Sequence, residues 1–569
     1  MRYLALATDF DGVVASEGRP SGEALAAIKR LRSSGRKAIL VTGRRLPCLL
    51  ASCPDLTMFD YVVAENGAVV HHPRTDETVL LAEPLSEEFV RRLDELQVRP
   101  LEVGSVIVAT WIPHQAAVLQ AIQELGVEYH IIFNRSAVMI LPAGVNKATG
   151  IEYVLRKMGL SRHEVVGVGD SENDHSFMKR CECSATVANA VPSILRAAAI
   201  VAKGANGAGL AELIDELVAD DLSRIQDTVS RNRIPLGRLD DGEMISLAPY
   251  GSNILVAGPS GSGKSTIAAG LVERLMANSY QLCIVDPEGD YGTLQDVLTL
   301  GNQHHAVTVD EVLAFLEDPT NSLNVNLLGI PLADRPEFFG RLFPSLQAMR
   351  TRTGRPHWIV LDEAHHMLPL GWSHLGRALP QKVGETIFIT VHPDHLAPDV
   401  LSHVDVIVAV GPAPRDTIEK FAAKTAYGVS WPSGLDFKKG RAVSWRPRGG
   451  APPQSFEILR CRAERIRHHR KYAEGNMRHR SFFFRGPTNR HNLRAQNLVV
   501  FCQIAEGIGD ETWLFHLHRG DYSHWLRESV KDRYLADQVE RIERRSDLLP
   551  FESRELIREL IRSRYTLPE

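Results

Sequence analysis

Tyr3-Leu4-Ala5-Leu6-Ala7-Thr8-Asp9-Phe10-Asp11-Gly12 decides how the first third of the chain is read: a short apolar run ends on two acids, one residue apart, and a glycine. A run of this length closed by a turn signal is a buried strand. Working outward, residues 38–41, 61–64, 165–168 and 185–187 are further β-rich runs separated by amphipathic stretches. That alternation predicts an α/β unit with a mainly parallel sheet. Ligands of such sheets gather where strands end at their carboxyl edge. Asp9, Asp11, Thr42, Asp170 and Asp174 each follow a strand, so five polar groups converge on one edge.

A second stretch has its own chemistry. Asn253-Ile254-Leu255-Val256-Ala257 reads as a strand, and Gly258-Pro259-Ser260-Gly261-Ser262-Gly263-Lys264-Ser265 follows it, with a helix expected over 266–277. Strand, glycine-rich loop, lysine, hydroxyl and helix are the context of a phosphate-cradling P-loop. Its glycines let backbone N–H groups close on phosphates, Lys264 reaches the β/γ oxygens, and Ser265 holds Mg²⁺. The partner is Trp358-Ile359-Val360-Leu361-Asp362-Glu363, an apolar strand ending in two acids. Asp362 would hold the metal through water, and Glu363 would polarise an attacking water. The nucleotide set is therefore Gly258, Gly261, Gly263, Lys264, Ser265, Thr266 and Asp362, with ATP and Mg²⁺ as ligands. Strands at 282–286 and 386–391 complete a sheet, and Thr390 and His392 end the last of these where a γ-phosphate sensor would sit.

Composition sets the bounds. A chain of 569 residues is too long for one core and implies roughly three to four domains. With 44% apolar and 24% charged residues it has the make-up of a folded globular protein, and its net charge of −4 gives no general pull toward nucleic acid. The seven cysteines (Cys48, Cys53, Cys181, Cys183, Cys283, Cys461, Cys502) form no CxxC pair and are odd in number, which argues for reduced thiols rather than a disulfide framework. The N-terminal apolar run is too short for a signal peptide, and no stretch approaches the ~18 apolar residues of a membrane span. A cytoplasmic protein without membrane attachment is expected.

The first unit resembles the haloacid dehalogenase superfamily, in its Cof-type branch. Asp9-Phe10-Asp11-Gly12-Val13, Val41-Thr42-Gly43-Arg44, Lys147 and Gly169-Asp170-Ser171-Glu172-Asn173-Asp174 match its four motifs in order, and Ala64-Glu65-Asn66-Gly67-Ala68 and Ala188-Asn189-Ala190-Val191-Pro192 match further signatures of the branch. The resemblance implies Asp9 as nucleophile, forming an aspartyl-phosphate that splits one hard hydrolysis into two steps. Asp11 would act as acid and base. Mg²⁺ would be held among Asp9, Asp11, Asp170 and Asp174, and Thr42 and Lys147 would offset charge on the transferring phosphoryl group. Residues of about 83–141 read as a small α/β cap with strands at 105–111, 127–133 and 137–141. Caps of this kind resemble those of sugar-phosphate and phosphoglycolate phosphatases, so a small phosphorylated metabolite is the expected substrate, with Trp111 and His130 as pocket candidates that packing explains as well.

The second unit is similar to the HerA/FtsK-like ATPases through Ile234-Pro235-Leu236-Gly237, Asp286-Pro287-Glu288-Gly289-Asp290-Tyr291 and Asp362-Glu363-Ala364-His365. Where those motors often carry a glutamine, this chain has His392. The resemblance implies a RecA-like domain, a homo-oligomer (hexamer), and an arginine reaching a neighbour's nucleotide, for which Arg415 is the candidate.

Arg460 to Arg494 carries eleven Lys or Arg against Glu464 and Glu474, with Phe482-Phe483-Phe484-Arg485 placing aromatics beside charge. Such a run serves nucleic-acid binding through stacking and phosphate contact, or is a solvated face. Helices are expected over 498–505, 511–518, 522–531 and 534–544. The predicted architecture is α/β: a Rossmann-like phosphatase domain with a small α/β cap over 1–215, a helical or flexible linker over about 216–233, a RecA-like P-loop ATPase domain over 230–450, and a basic segment with a small α-rich module over 451–569. Two functions remain open: a Mg²⁺-dependent metabolic phosphatase with an ATP-hydrolysing domain, or a nucleic-acid end-processing or remodelling ATPase with phosphatase activity. A kinase–phosphatase pairing is disfavoured by the Asp362-Glu363 pair, which suits water attack.

Overall fold

A computed structural model describes residues 2–223, 232–259, 261–292, 294, 296–370, 384–425, 427–435, 437–438, 440–459, 461, 477, 480–487, 492–530 and 532–564. Among these residues the first unit is built on an eight-stranded sheet ordered Ile200–Val201, Cys183–Thr186, Val165–Val168, Ala5–Thr8, Lys37–Val41, Tyr61–Ala64, Val69–His72, Glu77–Leu80. Ala5–Thr8 is central and parallel to both neighbours, with Ala5 opposite Val165 and Lys37. All four of its residues are buried, which is why it reads as a continuous apolar run. The last two strands are an antiparallel hairpin that the sequence reading passed over.

The cap carries a four-stranded antiparallel sheet ordered Tyr129–Asn134, Ala137–Pro142, Val108–Trp111, Glu102–Val103. The single strand expected over 105–111 is thus shortened to Val108–Trp111, with Glu102–Val103 pairing ahead of it. The cause is Glu65, whose carboxylate accepts from the backbone N–H groups of Ser105 (2.9 Å), Val106 (2.9 Å) and Ile107 (3.2 Å). Donors committed to a carboxylate cannot enter a ladder, so the chain bends there and ties the cap to the core.

The second unit holds an eleven-stranded mixed sheet: Met244–Leu247, Ile234–Arg238, Gln454–Ile458, Arg441–Trp445, Val406–Val410, Ile254–Ala257, Thr386–Thr390, Trp358–Leu361, Leu282–Asp286, Ser322–Asn326, Val297–Leu300. Its central strands are parallel and wholly buried. Gln454–Ile458 lies beyond residue 450 yet pairs within this sheet.

A buried seam joins the two units. His163 donates from Nδ1 to Glu182 Oε2 (2.6 Å), its Nε2 meets the carbonyl of Asn278 (2.7 Å), and its ring stacks on Tyr280 at 3.9 Å. Glu182 also accepts from Arg2 (3.3 Å) and Asn232 (2.7 Å). Burial works to raise the carboxyl of Glu182, but His163 and Arg2 outweigh it and hold it below the usual range. Its contribution to stability is present above the ordinary glutamate pKa and is lost as pH falls through the lowered value. Glu164 behaves oppositely: burial pushes it up to about 8, with Arg355 at 3.5 Å pulling the other way. Replacing His163 by alanine leaves Glu182 buried without its nearest partner, and we expect a loss of about 3 kcal/mol at pH 7 that shrinks in acid as Glu182 protonates. Thermal denaturation of the variant and parent across pH checks this.

The C-terminal unit packs helices Leu498–Gly507, Asp510–His518, Asp521–Trp525, Arg533–Glu543 and Pro550–Arg564 around Trp513, Tyr522 and Phe501. The helix expected over 522–531 is α-helical only to Trp525 and continues as a π-turn, Leu526–Val530. The stacking reading is corrected for Phe482 and Phe484. Phe482 and Phe484 are buried in this core, within 5.5 Å of Phe501, where no base can reach them. Most of the basic run, including Arg460, Arg467, Arg470 and Lys471, lies outside the described residues, as do residues 224–231 of the linker.

Candidate functional site

The carboxyl edge of the first sheet brings Asp9, Asp170 and Asp174 together, with one oxygen of each within 4.8 Å of the others and all three buried. Lys147 closes the cluster: its Nζ lies 2.5 Å from Asp9 Oδ1 and 2.6 Å from Asp174 Oδ1. Local sequence explains its placement. Asn146 caps the helix Lys147–Met158 by accepting from Ala148 and Thr149, so Lys147 is the first helical residue and turns inward. Gly12 makes room on the other side. Its φ is +83°, and a Cβ there would fall 2.2 Å from Asp170 Oδ2.

Asp11 stands apart from this cluster, held by Arg44 through Nε–Oδ2 (2.7 Å) and Nη2–Oδ1 (2.6 Å). Thr42 is buried next to the site, its hydroxyl accepting from the backbone N–H of Arg44 (3.1 Å). From the cap, Arg135 reaches down and donates to Asp170 Oδ2 at 2.8 Å. Sequence reasoning missed Arg135. The signal was a single arginine between two cap strands, in a two-residue connection that gave no motif. His130 is exposed and Trp111 half-buried on the cap sheet.

Crowding sets the electrostatics. Burial and the neighbouring Asp174 drive Asp9 well above its ordinary pKa despite Lys147, and burial with Asp174 pushes Asp170 up to about 6. For Lys147, burial alone would lower the ammonium, but the two carboxylates outweigh it and raise it. Three carboxylates sharing one ammonium and a guanidinium from the cap fit a hard divalent cation such as Mg²⁺, which takes oxygen ligands and relieves that repulsion.

In the second unit, Gly263 (φ +111°) ends the loop and starts the helix Lys264–Ala277. Lys264 Nζ rests 3.3 Å from the carbonyl of Pro259, and burial lowers its pKa against the pull of Glu363 and Asp362. Asp362 and Glu363 are buried at the end of Trp358–Leu361, one strand removed from Ile254–Ala257. Glu363 takes a left-handed conformation (φ +40°) with its N–H on Asp362 Oδ1 at 3.0 Å. Burial and Glu363 raise Asp362 well above the ordinary carboxyl range. An open set of oxygens beside a lysine and a glycine loop fits a nucleotide with its Mg²⁺. Asp286 closes its own turn, accepting from the N–H groups of Gly289 (2.8 Å), Asp290 (3.1 Å) and Tyr291 (2.9 Å). Thr390 bonds His365 Nδ1 (3.1 Å), and Arg415 is exposed, paired with Glu419 at 2.9 Å.

The sequence profile of haloacid dehalogenase-like hydrolases matches residues 6–100 and 102–214. A phosphoglycolate phosphatase of Methanothermobacter thermautotrophicus is 30% identical over 218 residues, covering 37% of this chain and 96% of that protein. The chain belongs to the haloacid dehalogenase-like hydrolases. Another similar relative, phosphoglycolate phosphatase 2 of Saccharolobus solfataricus, is 26% identical over 230 residues, covering 39% of this chain and 96% of its own. A phosphoglycolate phosphatase of Aeropyrum pernix is 30% identical over 221 residues, with 37% and 92% covered. Beyond the hydrolase unit, the profile of the helicase HerA central domain matches residues 236–334, so a P-loop ATPase domain follows the hydrolase domain in one chain. Among the described residues no helix is long and apolar enough to cross a membrane, and no disulfide links any of the seven cysteines.

Proposed function

We propose that the first unit hydrolyses small phosphomonoesters, phosphoglycolate foremost, through an aspartyl-phosphate on Asp9, and that the second unit binds and hydrolyses ATP. The observation that carries the phosphatase reading is Lys147 bridging Asp9 and Asp174 within a buried carboxylate cluster. Mg²⁺ at Asp9, Asp170 and Asp174 supplies charge neutralisation for nucleophile and phosphate. A carboxylate attacks phosphorus, and the ester oxygen leaves with a proton from Asp11, which then takes one from the water that cleaves the acyl phosphate. In this reading Asp11 must leave Arg44 to act, and Arg44 holds it in register until then. Thr42 and Lys147 offset phosphoryl charge.

Arg135 supports the choice of an acidic substrate. Its side chain, 59% exposed and anchored on Asp170, sits where the cap meets the cluster. Once a cation shares Asp170, the guanidinium is available to a substrate carboxylate, a pairing that favours arginine geometry. Arg135→Ala should raise KM for phosphoglycolate by about tenfold and change KM for a neutral phosphomonoester far less. Steady-state rates on phosphoglycolate, sugar phosphates and 3′-phosphorylated oligonucleotides with Mg²⁺ test the whole reading. Turnover confined to the oligonucleotides would replace it with nucleic-acid end processing.

A further inference from the structure

At the end of the strand Thr386–Thr390 the chain runs His392-Pro393-Asp394-His395, and the last three residues form a turn of 3₁₀ helix. Residues three apart eclipse in such a turn. His392 and His395 therefore stack, with ring centroids 4.6 Å apart and 24° between planes. Asp394 points the same way: one ligand atom from each of His392, Asp394 and His395 lies within 4.8 Å of the other two. A second observation is independent of this grouping. Oδ1 of Asp394 is buried and has no hydrogen-bond partner among the described residues. A carboxylate oxygen held away from water without a donor is costly, and a cation is the simplest group that satisfies it.

We propose that His392, Asp394 and His395 form a binding site for a divalent transition-metal ion of the Zn²⁺ class. Two imidazoles and one carboxylate suit Zn²⁺, Co²⁺ or Ni²⁺, whereas Mg²⁺ selects oxygen ligands, as in the Asp9, Asp170, Asp174 centre. Both histidines are exposed, so an ion enters from solvent without disturbing the core, and three protein ligands leave a coordination position for water. The site adjoins the nucleotide loop. Thr390, whose hydroxyl accepts from the His392 N–H at 3.1 Å, lies opposite Ala257, the residue before Gly258. An ion here would fix the segment that borders the loop. The assignment needs no nucleotide and stands apart from the ATPase reading.

The test uses the full chain, stripped with a chelator and then given excess Mg²⁺ to saturate oxygen-only centres. Titration with Co²⁺ should develop the visible absorption of a low-coordinate nitrogen and oxygen site, and Zn²⁺ should bleach it. His392→Ala/His395→Ala and, separately, Asp394→Asn should each weaken Co²⁺ binding by more than about tenfold, with circular dichroism and phosphatase turnover unchanged. The asparagine variant keeps the shape of the turn, so its loss of binding reports ligation rather than misfolding. Absence of the absorption in the parent, or its survival in both variants, overturns the assignment.

Discussion

Asp9→Asn should lower phosphatase turnover by on the order of 10,000-fold while ATP hydrolysis stays at the parent rate. The substitution is nearly isosteric, and the amide oxygen can still accept from Lys147, so the cluster keeps its shape and loses the nucleophilic carboxylate. Asp9 follows a strand of the eight-stranded sheet, and Lys264 opens the helix after a strand of the eleven-stranded one, which separates the two readouts. Rates of phosphate release from phosphoglycolate and from ATP, measured on the same preparation, check both halves. Phosphoglycolate turnover by the variant within tenfold of the parent would remove Asp9 from the nucleophile's role.

That such a substitution can be chosen at all reflects how the sequence encodes the site. Each central strand is buried on both faces and announces itself as an apolar run, and the groups at its carboxyl end then fall within a few residues of that run. Asp9, Asp170 and the P-loop were legible for this reason, whereas Lys147, which opens a helix after a cap strand, was legible only through the resemblance to the haloacid dehalogenase motifs. Arg135 was not, because its position depends on the cap folding over the core, and that placement is set by Glu65 binding three backbone N–H groups some forty residues away. The same non-local bonds shortened the expected 105–111 strand to Val108–Trp111. Edge elements were also illegible. The hairpin Val69–His72 and Glu77–Leu80 alternates only partly, and the helix Pro550–Arg564 is dominated by charge, its apolar face being three or four side chains that close the C-terminal core. The stacking expectation for Phe482 and Phe484 failed for a related reason. Local charge surrounds them, but the tertiary core of Phe501, Tyr522 and Trp525 takes their rings inside.

The second large effect is expected at Glu363. Glu363→Gln should slow ATP hydrolysis by about 100- to 10,000-fold and leave Mg²⁺-dependent ATP binding intact. The reason lies in what each neighbour contributes. In the proposed reading Lys264 and the loop from Gly258 to Ser265 would meet phosphates, and Asp362 lies one residue before Glu363 with an oxygen already engaged by the Glu363 N–H. The amide of glutamine preserves that turn and its left-handed backbone, but it cannot draw a proton from water. Lys264→Ala should act at the other step, weakening ATP affinity itself, because it removes a buried ammonium, neighboured by Glu363 and Asp362, that would reach the β/γ oxygens. Equilibrium ATP binding and single-turnover hydrolysis, run on both variants, separate the two losses. If glutamine at 363 binds and hydrolyses like the parent, the water is polarised elsewhere, and His365, 3.5 Å from Glu363 Oε2 and held down to about 4 by burial and its histidine neighbours, is the group to replace next.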